Sequence, residues 1–325
     1  MSTVSFSSPP GFINPCVESL PPPPPRKRDF SNRLDGVIIP VWQGDIYLAQ
    51  ACCASVRQSM GDIPITLLVD GVADTRDLQR LHGVQEMVIQ EVADEEFVRL
   101  CTGNPWTKLL PFWMSPYERF LCLDADLLVW GDLREYAEFD KYDFIVTYHN
   151  PGKFDKPEDI LGCINDPAIF KKLDPQLDWQ GKDILNTGVF FARRGIFSRE
   201  TLMDLRKLNC WPCFESGVFH YFHWRGLREG KPRTMGHKLQ LYPAEKKYGP
   251  EDRFLPRNRQ DPAVIHWITK KPKLGRSYKA HDDYRKLFLK MTGRKRFLRT
   301  RLLMEDIKVW AERQRRSMAR KAKAK

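Results

Sequence analysis

Short, continuously apolar runs recur along the first two-thirds of the chain, and they constrain its fold more than any other feature. Residues 36–41 read Gly-Val-Ile-Ile-Pro-Val and residues 64–69 read Pro-Ile-Thr-Leu-Leu-Val. Neither run alternates apolar with polar residues, so each suits a strand buried on both faces. Between them, Leu48, Cys52 and Val56 recur at four-residue spacing, which predicts a helix over residues 46–60. The same reading predicts helices over 74–81 and 107–114, the latter despite Pro111, and strands over 86–92, 119–123, 144–148 and 189–192. Strands alternating with helices imply right-handed crossovers. The expected class is therefore α/β, a Rossmann-like, mostly parallel twisted sheet with helices on both faces. Such sheets bind ligands outside the carboxyl ends of their strands. That directs attention to Val41 and Trp42, Asp70, Asp124 to Asp126, and Tyr148 with His149.

Three compositional zones follow. Residues 1–33 hold eight of the 24 prolines, including the run Pro21 to Pro25, and read as a disordered Pro-rich segment that builds no core. Residues 34–283 are the expected catalytic domain. Residues 284–325 are a basic, helix-prone tail in which Phe297, Leu298, Leu302, Ile307 and Trp310 give a partial apolar face. Of the 53 Lys/Arg and 41 Asp/Glu in this 325-residue chain, the tail carries 16 and 3, so the rest is nearly balanced at 37 against 38. A balanced body argues against nucleic acid as a partner, because counterion release needs basic residues on the folded face itself. The tail reads as a solvated extension or as an attachment to an anionic membrane surface. In either case it is expected to be dispensable for ligand binding. No window approaches the roughly 18 apolar residues of a membrane span. The start of the chain lacks the basic and apolar regions of a secretory signal. The expected location is cytoplasmic, with peripheral attachment to the cytoplasmic face of a membrane as an option. Cys52, Cys53 and Cys122 sit in apolar stretches and read as buried small hydrophobes.

The sharpest chemical feature is Leu123-Asp124-Ala125-Asp126, a D-x-D pair delivered by an apolar strand and followed by the apolar run Leu127-Leu128-Val129. An Asp pair at a turn is commonly only a cap. Here, however, two carboxylates between apolar flanks need a counter-charge, and no Lys or Arg lies between Arg119 and Arg134. Hard oxygen ligands of this kind suit Mn²⁺ or Mg²⁺ held between protein and a diphosphate. The chain has no GxGxxG or GxxxxGK loop, so phosphates must be neutralised in another way.

The segment Tyr117-Glu118-Arg119-Phe120-Leu121-Cys122-Leu123-Asp124-Ala125-Asp126 resembles the metal-binding segment of GT-A-fold, nucleotide-sugar-dependent glycosyltransferases, especially the glycogenin-like family 8. Four further segments match in family order. Trp106-Thr107-Lys108-Leu109 is similar to the Lys-bearing helix before the metal strand. Leu185-Asn186-Thr187-Gly188-Val189-Phe190-Phe191 is similar to the Asn-Ser-Gly strand. Glu215-Ser216-Gly217 stands where the family has Asp-Gln-Gly, with His220 in place of its Asn. Val264-Ile265-His266, continuing through Lys270, Lys271 and Pro272, resembles the closing His-x-x-Gly-x-x-Lys-Pro without its Gly and one residue shorter. The likeness spans residues 35–275.

The resemblance implies a GT-A-like α/β domain that moves a sugar from a nucleoside diphosphate sugar, expected to be a UDP-sugar, to a hydroxyl acceptor on a glycan, lipid or protein, with retention. Its implied metal ligands are Asp124, Asp126 and His266. The donor would contact Pro40, Val41, Asp70, Lys108, Asp124, Ala125, Asn186 and Lys271. Glu215, Asp183 and Asn186 would position the sugar and serve catalysis. Glu215 also reads as an ordinary helix-start carboxylate, and Asp183 as a loop residue. Two rivals remain. A nucleotidyltransferase of related fold usually carries a Gly-rich basic loop after the first strand, whereas Trp42-Gln43-Gly44-Asp45 holds no basic residue. A catalytically degenerate scaffold is disfavoured by the intact Asp124/Asp126 pair. Cys210, Cys213, His220 and His223 have zinc-ligand types, but the gap between the pairs is shorter than structural zinc sites use. The placement of His220 within the Glu215 segment suggests that it faces a substrate cleft.

Overall fold

The computed structural model describes residues 33–103, 105–148, 175–176, 185–200, 202–203, 215–231, 233–235, 240–241, 263–266, 307–308, 310–311 and 314–318. The Pro-rich start, Asp183, Cys210, Cys213 and Lys271 lie outside these residues, as does most of the basic tail.

A strand buried on both faces needs apolar cover above and below. β1 (Gly36–Val41) finds it in the middle of a seven-stranded sheet. β2 (Ile65–Val69) pairs parallel with β1 on one side, and β3 (Gln85–Val88) continues parallel beyond it. On the other side β4 (Arg119–Leu123) also runs parallel to β1. The sheet then reverses. β7 (Leu185–Arg193) lies antiparallel between β4 and β6 (Phe144–Tyr148), and β8 (Arg233–Met235) closes the edge parallel to β6. The strand order is β3-β2-β1-β4-β7-β6-β8. A second, three-stranded sheet has β10 (Ala263–His266) between β5 (Leu127–Trp130) and β9 (Gln240–Leu241).

The period of two along each strand sorts side chains into two cores. Val37, Ile39, Leu121, Leu123, Val189 and Phe191 point to one face, where α1 (Ile46–Met60) covers them with Leu48, Cys52 and Val56. The second, small sheet packs on this side too, through Leu127, Val129, Val264 and Ile265. Ile38, Leu68, Phe120, Cys122, Phe144 and Phe190 point to the other face. Their cover comes from α4 (Glu95–Cys101), the 3₁₀ turn Pro105–Leu109, α5 (Pro111–Met114) and α6 (Glu215–Arg228). The predicted α/β class with helices on both faces is therefore what the chain adopts.

Two predicted elements differ in detail. The strand expected over 86–92 ends at Val88, and Ile89–Val92 forms a helical turn, α3. Gln90 and Glu91 are exposed together while Ile89 is buried, which a half-buried strand does not allow. The helix expected over 107–114 is divided, because Pro111 has no N–H to continue the ladder and instead opens α5 as its first residue. The helix expected over 74–81 is α2 (Arg76–His82), closed by Gly83 in the left-handed region at φ 58°. The small-sheet strand β5 was not foreseen.

Phe112 of α5 is the centre of the second core. It is fully buried, with ring centroids of Phe144, Phe190, Phe197 and Phe219 at 5.6, 5.4, 4.7 and 5.6 Å. Rings at such spacings contribute beyond their buried area. Phe112→Ala should lower unfolding free energy by about 3–5 kcal/mol in denaturant titration. A loss below about 1 kcal/mol would show that this core collapses freely and does not hold α5 in place.

Candidate active site

The functional side chains meet where β1, β2 and β4 end. Asp124 follows β4 directly, and its backbone N–H is fixed by the carbonyl of Gly188 in β7 at 2.9 Å. The chain turns through Ala125, and Asp126, 4% exposed, leads into β5. The β5–β10 register sets His266 opposite Leu127, one residue beyond Asp126. Pairing between two strands more than 130 residues apart thus places the imidazole. His266 Nε2 lies 3.5 Å from Asp126 Oδ1 and 3.7 Å from Asp124 Oδ2. One ligand atom from each of Asp124, Asp126 and His266 falls within 4.8 Å of the others, the one such group of three among the described residues. Two carboxylates and an imidazole converging from a buried floor fit Mn²⁺ or Mg²⁺.

Two residues of the Asn-Thr-Gly strand support this cluster. A Cβ on Gly188 would come within 2.5 Å of His266 Cε1 and 3.0 Å of Nδ1, so only glycine lets the imidazole approach. Asn186 is buried, and its Oδ1 accepts from the Gly188 N–H at 2.7 Å, holding that glycine in position. Asn186 does not line the adjoining cavity. Thr187 donates its hydroxyl to Glu215 Oε1 at 2.8 Å.

The counter-charge missing from the local sequence arrives from elsewhere. Lys108, on the 3₁₀ turn Pro105–Leu109, sets its ammonium 2.7 Å from Asp124 Oδ1 and 3.3 Å from Glu215 Oε1. Burial opposes the charge on Lys108, but the carboxylates of Asp124 and Glu215 outweigh it and hold the ammonium well above the usual lysine range. The expectation that the Asp pair lacks a basic partner is therefore corrected for Asp124. Glu215 is the first residue of α6, where the helix dipole favours an anion. Three carboxylates against one ammonium leave a formal excess of two negative charges, the charge of one divalent cation.

A cavity of about 580 Å³ opens beside the cluster. Pro40, Val41, Asp70, Lys108, Asp124 and Ala125 line it, together with Asp126 and Glu215, so the structure gathers most of the residues singled out from sequence. Trp42, Asp45, Thr107 and Arg316 also line it. Arg316 belongs to the basic tail, whose described residues between 307 and 318 are helical. Its guanidinium sits 5.1 Å from the Trp42 ring centroid and donates to Asp70 Oδ2 at 3.3 Å and to the Asp70 carbonyl at 2.5 Å. The described part of the tail thus reaches the ligand cavity and lines it through Arg316. No sequence signal marks Arg316, because its partner is 246 positions away.

His220 does not face a cleft. It is fully buried on α6, and its Nε2 accepts from the Leu185 N–H at 3.0 Å, which ties α6 to β7. His223 is buried one turn further on. Both histidines serve packing in the described structure. Burial pushes the Cys53 thiol up to about 12, and raises Cys52 well above its ordinary value, helped by Cys53 and the Asp126 and Asp124 carboxylates. These thiols stay protonated and act as core residues, as expected.

No protein-family model matches this chain, and no curated protein matches it significantly. Solved structures do. The galactosyltransferase LgtC, in complex with donor and acceptor sugar analogs, aligns with TM-score 0.51 at 13% identity over 79% of this chain and 95% of its own. The apo structure of the bifunctional glycosyltransferase WbbM aligns with TM-score 0.54 at 11% identity, over 84% of this chain and 51% of that longer one. The likeness shows the fold. This chain has the α/β architecture of GT-A glycosyltransferases, as the sequence motifs implied.

Gly188→Ala should drive His266 off the two carboxylates and weaken Mn²⁺ binding about 10- to 100-fold in calorimetric titration, while the protein remains folded. An unchanged affinity would remove His266 from the ligand set. His223 gives a second expectation. Burial depresses its pKa from 6.5 to about 4, so the folded state favours the neutral ring. Stability is then complete above pH 6.5 and falls as pH drops towards 4, by at most about 3 kcal/mol. His223→Leu should flatten that part of the pH–stability curve, and an identical slope in both proteins would assign the acid sensitivity elsewhere.

Proposed function

We propose that this chain is a metal-dependent glycosyltransferase that moves a sugar from a nucleoside diphosphate sugar to a hydroxyl acceptor. The observation that carries the reading is the convergence of Asp124, Asp126 and His266 on one point, at the floor of a cavity lying over the strand ends where such folds bind ligands. A divalent cation held by these three residues would neutralise the charge that develops on a departing diphosphate.

The chain's own groups do the rest. The nucleoside lies over the ends of β1 and β2, against Pro40, Val41, Trp42 and Asp70, all in the cavity wall. The diphosphate points towards Asp124 and Asp126. Lys108 stays protonated between Asp124 and Glu215, so it holds both carboxylates in place while contributing positive charge near the phosphates. Glu215, fixed by the Thr187 hydroxyl and by Lys108, presents a carboxylate to the sugar and acceptor. There it accepts a hydroxyl proton or orients a sugar hydroxyl. Asn186 acts through Gly188 and the placement of His266. Outside the described residues, Lys271 is proposed to meet the diphosphate and Asp183 the sugar, as the family resemblance implies. Retention at the anomeric carbon rests on the same resemblance. LgtC has been solved with donor and acceptor sugar analogs, and this chain covers nearly all of its length.

Asp126→Asn tests the reading directly. The amide is isosteric, and losing one of two neighbouring negative charges leaves the apo fold no less stable. Calorimetric titration of UDP, GDP, CDP and ADP into the wild type should find a nucleotide whose affinity rises at least about tenfold with Mn²⁺. In Asp126→Asn that enhancement should vanish. A variant that keeps it would show that the carboxylate pair is an ordinary turn.

A further inference from the structure

The cavity's nucleoside end is already covered by a side chain of the same protein. Arg316 sits over the face of Trp42, with its guanidinium carbon 5.1 Å from the ring centroid. It directs one N–H group to the Asp70 carboxylate and another to the Asp70 carbonyl. A planar, delocalised group over an indole, donating two hydrogen bonds to a carboxylate and a carbonyl, occupies the place where the face and edge of a nucleobase would meet the same residues. The hydrogen-bonding capacity of Asp70 is heavily used in this arrangement. Its Oδ2 also accepts from the Gly103 N–H at 2.6 Å, and its Oδ1 lies 3.4 Å from Gln90 Nε2. A base that needs either the Trp42 face or the Asp70 acceptors must compete with Arg316.

The segment bearing Arg316 is held at a second point outside the cavity. Lys308 Nζ lies 2.8 Å from Asp74 Oδ2, beyond the end of β2. This pair, with Arg76, holds the Asp74 carboxyl well below the usual range, the side-chain bond from Arg76 contributing most and that from Lys308 next. The Lys308–Asp74 pair is partly open to solvent and so a weak tether, whereas the Arg316–Asp70 pair is the better shielded of the two. Among the described residues of the segment, Ile307, Trp310 and Met318 are all more than half exposed. Weak anchoring and direct occupancy together describe a strap that a ligand can displace, not a fixed wall of the site.

We propose that the C-terminal basic segment is a displaceable strap whose Arg316 side chain takes the place of a nucleobase on Trp42 and Asp70, so that donor binding requires release of residues 307–318. The proposal rests on the reading of this cavity as a nucleoside diphosphate sugar site. Wild-type affinity is then reduced by the fraction of molecules in which the strap is seated.

The test is equilibrium titration of UDP, GDP, CDP and ADP, each with Mn²⁺, into the full-length wild type and the variants Arg316→Ala and Lys308→Ala. The nucleotide that binds wild type should bind Arg316→Ala about threefold to thirtyfold more tightly. Lys308→Ala should shift affinity in the same direction by a smaller factor. Lys308 does not line the cavity, so its side chain makes no direct contact with a ligand there. Weaker binding by Arg316→Ala would make Arg316 part of the donor site and overturn the strap. Equal binding by all three proteins would also overturn it, while leaving the nucleotide site intact. If no nucleotide binds any of the three, the reading of the cavity fails, and the strap fails with it.

Discussion

A single ammonium group holds the candidate site of this molecule together. Lys108 stands between Asp124, at the end of β4, and Glu215, at the start of α6, and is only 16% exposed. Without it, two carboxylates from different elements would face one another in a poorly solvated pocket. Burying a charge is costly unless it is paired. With it, β4 and α6 are drawn to a common point, and the 3₁₀ turn bearing Lys108 is pinned between them. The geometry around Asp124 and around Glu215 is therefore set by one set of ion pairs, and a change at either carboxylate is felt at the other.

Around that clamp, close backbone approach does the remaining positioning. The imidazole of His266 can reach Asp126 only because Gly188 offers no side chain, and Gly188 is held by Asn186. The carbonyl of Gly188 in turn fixes the backbone of Asp124. One strand thus orders a carboxylate and an imidazole at once. Gly44 has a similar part at the other end of the cavity, where a Cβ would strike the indole of Trp42. That glycine leaves room for the ring in the cavity wall, where the Arg316 guanidinium sits over it.

Much of this was legible in the sequence, for identifiable reasons. The central strands are apolar on both faces and bear no other reading, so β1, β2 and β4 were found within a residue. Asp124 and Asp126 stood out because charge at the end of a buried strand needs an explanation. Glu215 was also singled out, as a motif residue and as a helix-start carboxylate, and it does open α6. What escaped depends on contacts between distant parts of the chain. The Lys108 bridge to Glu215 spans 107 positions, and the Arg316 contact with Asp70 spans 246. No local pattern encodes either. His220 was misread because a histidine near a catalytic-looking segment gives no sign of which face of the helix it occupies. The structure turns it inward to a backbone amide of β7. β5 was missed because four apolar residues after a turn do not reveal that a partner strand lies more than 130 residues downstream.

The central claim is that the Asp124, Asp126 and His266 cluster serves cleavage of a nucleoside diphosphate sugar. The most direct measurement is release of free nucleoside diphosphate from a panel of UDP-, GDP-, CDP- and ADP-sugars. Each would be incubated with the full-length protein and either Mn²⁺ or a chelator, with and without simple sugar acceptors. One nucleotide class should be cleaved with Mn²⁺, faster when a suitable acceptor is present, and chelation should reduce release to background. A protein that binds a nucleoside diphosphate with Mn²⁺ yet cleaves no sugar donor under any of these conditions would contradict that claim.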